Sequence, residues 1–204
     1  MGHRPGAYVF DEGVAPETAA ARAIYLGPWR IDPTIRPGVP RLVATIVLAR
    51  TIRAALEACG APSPASIGLI LADDAELAGL NAAHMGKDGP TDVLSFPLFP
   101  PGAFPTHAGG PPSVVGRGQA GAVDFALPPG RRPHLGDIVV SVERAIDQAE
   151  AGRGGQTGDV HWSAADELRL LVTHGTLHVC GWDHAEPGEE TSMRALEQHL
   201  LAPT

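Results

Sequence analysis

One stretch near the C-terminal end constrains this chain more than any other: Thr173-His174-Gly175-Thr176-Leu177-His178-Val179-Cys180-Gly181-Trp182-Asp183-His184. His174 and His178 are four residues apart, so on a helix they share one face, one turn from each other. Their surroundings read as such a helix, over Asp166–Val179. Leu168, Leu170, Leu171, Val172, Leu177 and Val179 cover most of its circumference, and only Arg169, Thr173 and Thr176 form a polar stripe. A helix that is apolar nearly all round is a buried one. Gly181 can leave the helix with a positive φ and turn the chain back. His184 can then approach the two histidines from outside the helix.

Buried imidazoles need partners. Two core histidines bonded to backbone carbonyls would meet that need. A pair at i, i+4, followed by a third histidine beyond a Gly turn, points instead to a metal site. His174, His178 and His184 are its candidate ligands, with a fourth position open to water as in catalytic zinc sites. Zinc, one ion per chain, suits three imidazoles; nickel and copper also accept them. Zincin proteases carry a Glu directly after the first histidine as general base. Gly175 stands there, so that class is disfavoured and the base is not evident. Glu167 is on the histidine face, but about 10 Å of helix rise before His174; it reads as structural or as a partner of a ligand. Asp183 adjoins His184 and is the weak candidate for a catalytic role, either orienting an imidazole or serving as the base; a solvated turn residue is the alternative. Cys180 is close enough to be considered as a ligand, and reads better as a small buried hydrophobe.

The length, 204 residues, suggests one domain over 1–204. A net charge of −8 argues against a generic nucleic-acid coat, which would be basic, but leaves a local RNA cleft open. The two cysteines form neither a CxxC pair nor a disulfide framework, which makes a reduced, cytoplasmic setting the default. Residues 1–12 carry no signal-peptide pattern. The most apolar run, 42–49, is far too short to span a bilayer, so no membrane association is expected.

In chain order, a strand is expected around Ile24–Ile31 and a helix over Arg41–Ala58, stopped by Gly60 and Pro62. A buried strand, Ile67–Leu71, precedes a helix from Ala75 to about Ala83, capped by Asp73 or Asp74. A Gly/Asp turn then runs into a strand, Val93–Phe96. Fifteen of the 34 residues between Pro100 and Pro133 are Gly or Pro, so this stretch reads as a long irregular insertion between strands. Leu135–Ser141 is a strand, Val142–Ala151 a helix and Met193–Leu201 a last amphipathic helix. The sum is an α+β fold: a single mixed sheet with helices packed on it and a buried central helix carrying two metal-ligand histidines.

The histidine segment resembles the signature of the YbeY family of rRNA-maturation endoribonucleases. Two more segments are similar to that family's pattern, Gly86-Lys87-Asp88-Gly89-Pro90-Thr91-Asp92-Val93-Leu94-Ser95-Phe96-Pro97 and Leu135-Gly136-Asp137-Ile138-Val139-Val140-Ser141. The resemblance covers roughly 67–97 and 135–201. It implies zinc on His174, His178 and His184, cleavage of single-stranded RNA near the 3′ end of small-subunit rRNA, and the small ribosomal subunit as partner. One departure matters. Family members often carry Arg directly before the Gly-Lys-Asp turn, and this chain has Met85, which cannot make a guanidinium's bidentate contact to phosphate. Lys87 is left as the nearest candidate RNA-binding cation. Two classes of function stay in view: a metal-dependent endoribonuclease, and a non-catalytic ribosome-assembly factor with a structural metal. A metallohydrolase of another substrate class stands third.

Overall fold

The computed structural model describes residues 22–107, 132–152, 162–184 and 187–202. Its strands are β1 (Ile24–Leu26), β2 (Trp29–Ile35), β3 (Ala65–Ala72), β4 (Val93–Pro97) and β5 (His134–Ser141). Its helices are α1 (Thr45–Ala58), α2 (Asp74–Leu80), α3 (Val142–Glu150), α4 (Ala164–Val179) and α5 (Pro187–Leu201). The strands form one sheet in the order β1-β2-β3-β5-β4. β2, β3 and β5 are mutually parallel, while β1 and β4 run antiparallel at the two edges. The expected α+β architecture with a mixed sheet is the one observed.

Parallel neighbours need a crossover, and α1 provides it between β2 and β3. Strands covered on both faces read as near-continuous apolar runs, as β3 does with only Ile70 short of full burial. Alternation along the strands then splits the core. Ile31, Ile67, Leu69, Ile138 and Val140 point into the main core with α1, α3, α4 and α5. Ala72, Leu94 and Val139 meet Leu77 of α2 in a small second cluster on the other face.

Several boundaries differ from the expectation, each for a local reason. The Gly27–Pro28 break is not an interruption of one strand but the two-residue turn of a hairpin, with Gly27 at φ 63° and Leu26 opposite Trp29. Pro33 is tolerated within β2 because the pairing with β1 ends at Ile31. Helix α1 starts at Thr45, not Arg41; Ala44 provides no side-chain cap, and Leu42 and Val43 pack on the core from non-helical chain. Asp73 caps α2 by accepting from the Glu76 N–H at 2.8 Å. Its last turns widen into a π turn, Asn81–Met85, closed by Gly86 at φ 63°. Helix α5 begins six residues before Met193, with Pro187 first and Glu189 and Glu190 in its first turn, a combination that favours a helix start.

The Gly/Pro-rich insertion lies mostly outside the described residues. Its root is described: Phe104 is 2% exposed in the main core, and the turn Pro101–Ala103 leads into it.

Helix α4 is the central helix. It touches α1, α3, α5, β4 and β5. Leu168, Val172, Leu177 and Val179 are fully buried, and each such side chain contributes about 2 kcal/mol. Two residues of its polar stripe are buried too: Thr173 and Thr176 are inaccessible, and their hydroxyls donate to the carbonyls of Arg169 at 2.8 Å and Val172 at 2.7 Å. Ser163 and Asp166 close a capping box at its start. Among the described residues no helix is long and apolar enough to cross a membrane.

Candidate metal centre

The histidines converge where α4 ends. Its C-terminus is a Schellman motif: Trp182 N–H donates to Leu177 O and Gly181 N–H to His178 O, both at 3.0 Å, with Gly181 at φ 82°. A Cβ on Gly181 would also sit 2.8 Å from Pro101 Cα. The root of the insertion therefore packs directly on the turn, and His107 stacks on the Trp182 ring at 3.9 Å. The turn returns His184 to the helix face. One ring nitrogen from each of His174, His178 and His184 lies within 4.8 Å of the others. His174 and His178 are partly buried and His184 is exposed, so the cluster opens to solvent on the His184 side.

Hydrogen bonds fix the rings. His178 Nδ1 donates to the Trp182 carbonyl at 2.9 Å, and His174 Nδ1 to Glu197 Oε1 on α5 at 2.7 Å. A carbonyl and a carboxylate can only accept, so both imidazoles carry their proton on Nδ1. Their Nε2 lone pairs then face each other at 3.0 Å. Two lone pairs at that distance repel unless a cation lies between them. Burial is the main force that lowers the His178 pKa to about 4, aided by the nearness of the His174 and His184 rings, which would repel a proton on it, so this ring is held in the neutral form that metals bind. A tetrahedral ion with bonds of about 2.0–2.1 Å needs its ligands roughly 3.4 Å apart, within reach of the three donors. The residues fit a metal ion.

The other sequence candidates fall as follows. Asp183 is exposed, and its Oδ1 accepts from the backbone N–H of His184 at 2.8 Å. Glu167 is 3% exposed, in the first turn of α4; the partner on His174 is Glu197. Cys180 is buried at the end of α4, hydrogen-bonded to Cys59, and that bond and its burial push the thiol pKa well up. Ligands are thiolates, so Cys180 belongs to the core. Gly175 explains the missing zincin glutamate. A Cβ there would lie 2.6 Å from Ile138 Cγ2 and 3.0 Å from Val93 Cγ2, so this position presses on the sheet and leaves no room for a side chain. Ser95 fixes the approach by donating to the Gly175 carbonyl at 3.0 Å.

A family model described as "Endoribonuclease YbeY" matches residues 42–204. The chain belongs to the YbeY family. It is 40% identical over 161 residues to a protein named Endoribonuclease YbeY from Salinispora tropica, covering 78% of this chain and 87% of that one. Proteins of the same name from Roseiflexus sp. and Chelativorans sp. are 32% and 33% identical, over 84% and 95% of this chain and 90% and 93% of theirs.

In the YbeY-like segment before β4, several residues prove architectural. Asp92 Oδ1 accepts the Val93 N–H at 2.9 Å and its Oδ2 accepts from Gln148 of α3 at 3.0 Å. Asn81 reaches across the turn to the Gly89 carbonyl at 2.9 Å. Met85 is 49% exposed, and Lys87 is exposed beside it. Sequence reasoning missed two groups at the site: the Trp182 carbonyl, which no side-chain pattern reveals, and Glu197. A signal for Glu197 did exist, an acid set within the apolar stripe Met193, Leu196, Leu200 of α5.

Proposed function

We propose that this chain is a zinc-dependent endoribonuclease of the cytoplasm. Its substrate is single-stranded rRNA near the 3′ end of the small ribosomal subunit, and each chain uses one zinc ion. The observation that carries the reading is the pair of Nε2 lone pairs held face to face by Trp182 and Glu197, with His184 closing the cluster from the solvent side. The names of the YbeY relatives supply the reaction class. When bound, zinc supplies Lewis acidity toward a phosphoryl oxygen and lowers the pKa of a water.

The chain's own residues do the rest. His174 and His178 present their Nε2 atoms from a helix fixed in the core. His184 stands at the open side, where an extended RNA strand can reach it. Asp183, exposed and adjacent in sequence to His184, is assigned the role of taking a proton from the attacking water or from the 2′-OH of the RNA. Lys87 offers a cation to phosphate in place of the absent arginine. With a net charge of −8, attraction to RNA has to be local, and binding should weaken with salt as phosphate counterions are released.

The test is cleavage of a single-stranded RNA by zinc-loaded protein beside an identically prepared His184→Ala variant. Cleavage by the wild type alone supports the reading. Equal cleavage by both exposes a contaminating nuclease, and absence of cleavage by either on small-subunit particles as well as free RNA overturns it.

A further inference from the structure

We infer that Glu197 is a positioning residue of the metal centre, and that its negative charge sets how tightly the three histidines hold a divalent ion. The inference rests on the reading of the histidine cluster as a metal site. Glu197 Oε1 lies 2.7 Å from His174 Nδ1, the short end of the range for hydrogen bonds to charged acceptors. Its side chain is 11% exposed, and His174 is its one hydrogen-bonding or ionic partner among the described residues. A carboxylate withdrawn from water needs positive charge nearby. Among the described residues no lysine or arginine pairs with it. A cation on the opposite nitrogen of the same ring does, because the imidazole carries the polarisation from Nε2 to Nδ1–H. The carboxylate in turn makes Nε2 a stronger donor.

The three ligands differ in this respect. His178 is oriented by a neutral carbonyl, and the His184 ring has no hydrogen bond among the described residues. His174 alone has an anion behind it. That anion is placed by packing: Met193, one helical turn earlier on α5, is 1% exposed, and Leu196 and Leu200 join the same core. The metal centre is thereby built from two helices and a turn, although all three candidate ligands come from one short segment.

The experiment uses the full chain stripped of metal. Zinc affinity is measured by competition with a chromophoric chelator for the wild type, Glu197→Gln and Glu197→Ala, beside metal-free thermal unfolding of each. Gln keeps the size and an accepting oxygen but not the charge; Ala removes both. The expected losses are about 10-fold for Gln and up to about 100-fold for Ala, with the metal-free melting temperature of the Gln variant no lower than that of the wild type. Long-range nitrogen NMR of the metal-free protein should show the Nδ1–H form of His174 in the wild type and Gln variant, and a mixture of forms in the Ala variant. Wild-type affinity in both variants, or in Gln alone, overturns the role of the charge. A wild type that binds no zinc overturns the metal-site reading itself, and the inference falls with it.

Discussion

Gly175→Ala separates two forces that act on one residue in opposite directions. In an exposed helix interior the change would stabilise by about 1 kcal/mol, because alanine loses less backbone freedom on folding. Here the new methyl would lie 2.6 Å from Ile138 Cγ2, 3.0 Å from Val93 Cγ2 and 3.3 Å from Ser95 Oγ. Carbon atoms settle at about 3.5–4.0 Å, so α4 must lift from the sheet by roughly 1 Å. Ile138 is fully buried on β5 and has no room to retreat. Overpacking of this kind costs about 1–3 kcal/mol, which leaves a net loss of up to about 2 kcal/mol after the helix gain. The displacement falls next to His174, so zinc affinity should drop with stability. Urea unfolding of the metal-free protein gives the first quantity and chelator competition the second. A variant more stable than wild type by about 1 kcal/mol, with unchanged zinc affinity, would refute the claim that this glycine seats the histidine helix on the sheet.

Three further outcomes are expected. Gly181→Ala forces an L side chain to φ 82° and into contact with Pro101; it should destabilise by at least about 1–2 kcal/mol and weaken zinc binding, measured as above. Ser163→Ala removes the cap at the far end of α4 and should cost about 1 kcal/mol in urea unfolding while leaving zinc affinity untouched. Cys59 and Cys180 are both buried and unoxidised, so a thiol-alkylating reagent should modify neither in the native protein and both after unfolding; rapid native labelling would place Cys180 outside the core.

What could be read from the sequence followed from periodicity and punctuation. The helix carrying His174 and His178 is apolar around most of its circumference, and burial followed from that. Gly181 announced its end. The runs at β3 and β5 read as strands because parallel strands covered on both faces have no polar alternation to hide them. The hairpin at Gly27–Pro28 was harder, because its strands are short and one contains a proline that only the early end of β1 permits. The start of α1 was misplaced because Leu42 and Val43 fit the helical period while packing from outside the helix. At the candidate metal centre, the histidine cluster was legible because its spacing is local. Their supports were not. Glu197 is separated from His174 by 23 residues and belongs to another helix, and the Trp182 contact is made by a carbonyl that any residue would offer.

X-ray absorption of the zinc-loaded protein tests the central claim most directly. The account predicts one zinc per chain, with three imidazole nitrogens at about 2.0–2.1 Å and a light fourth scatterer. The signal should be lost from a His178→Ala variant that remains folded. A sulfur scatterer near 2.3 Å, or unchanged zinc content in that variant, would contradict it.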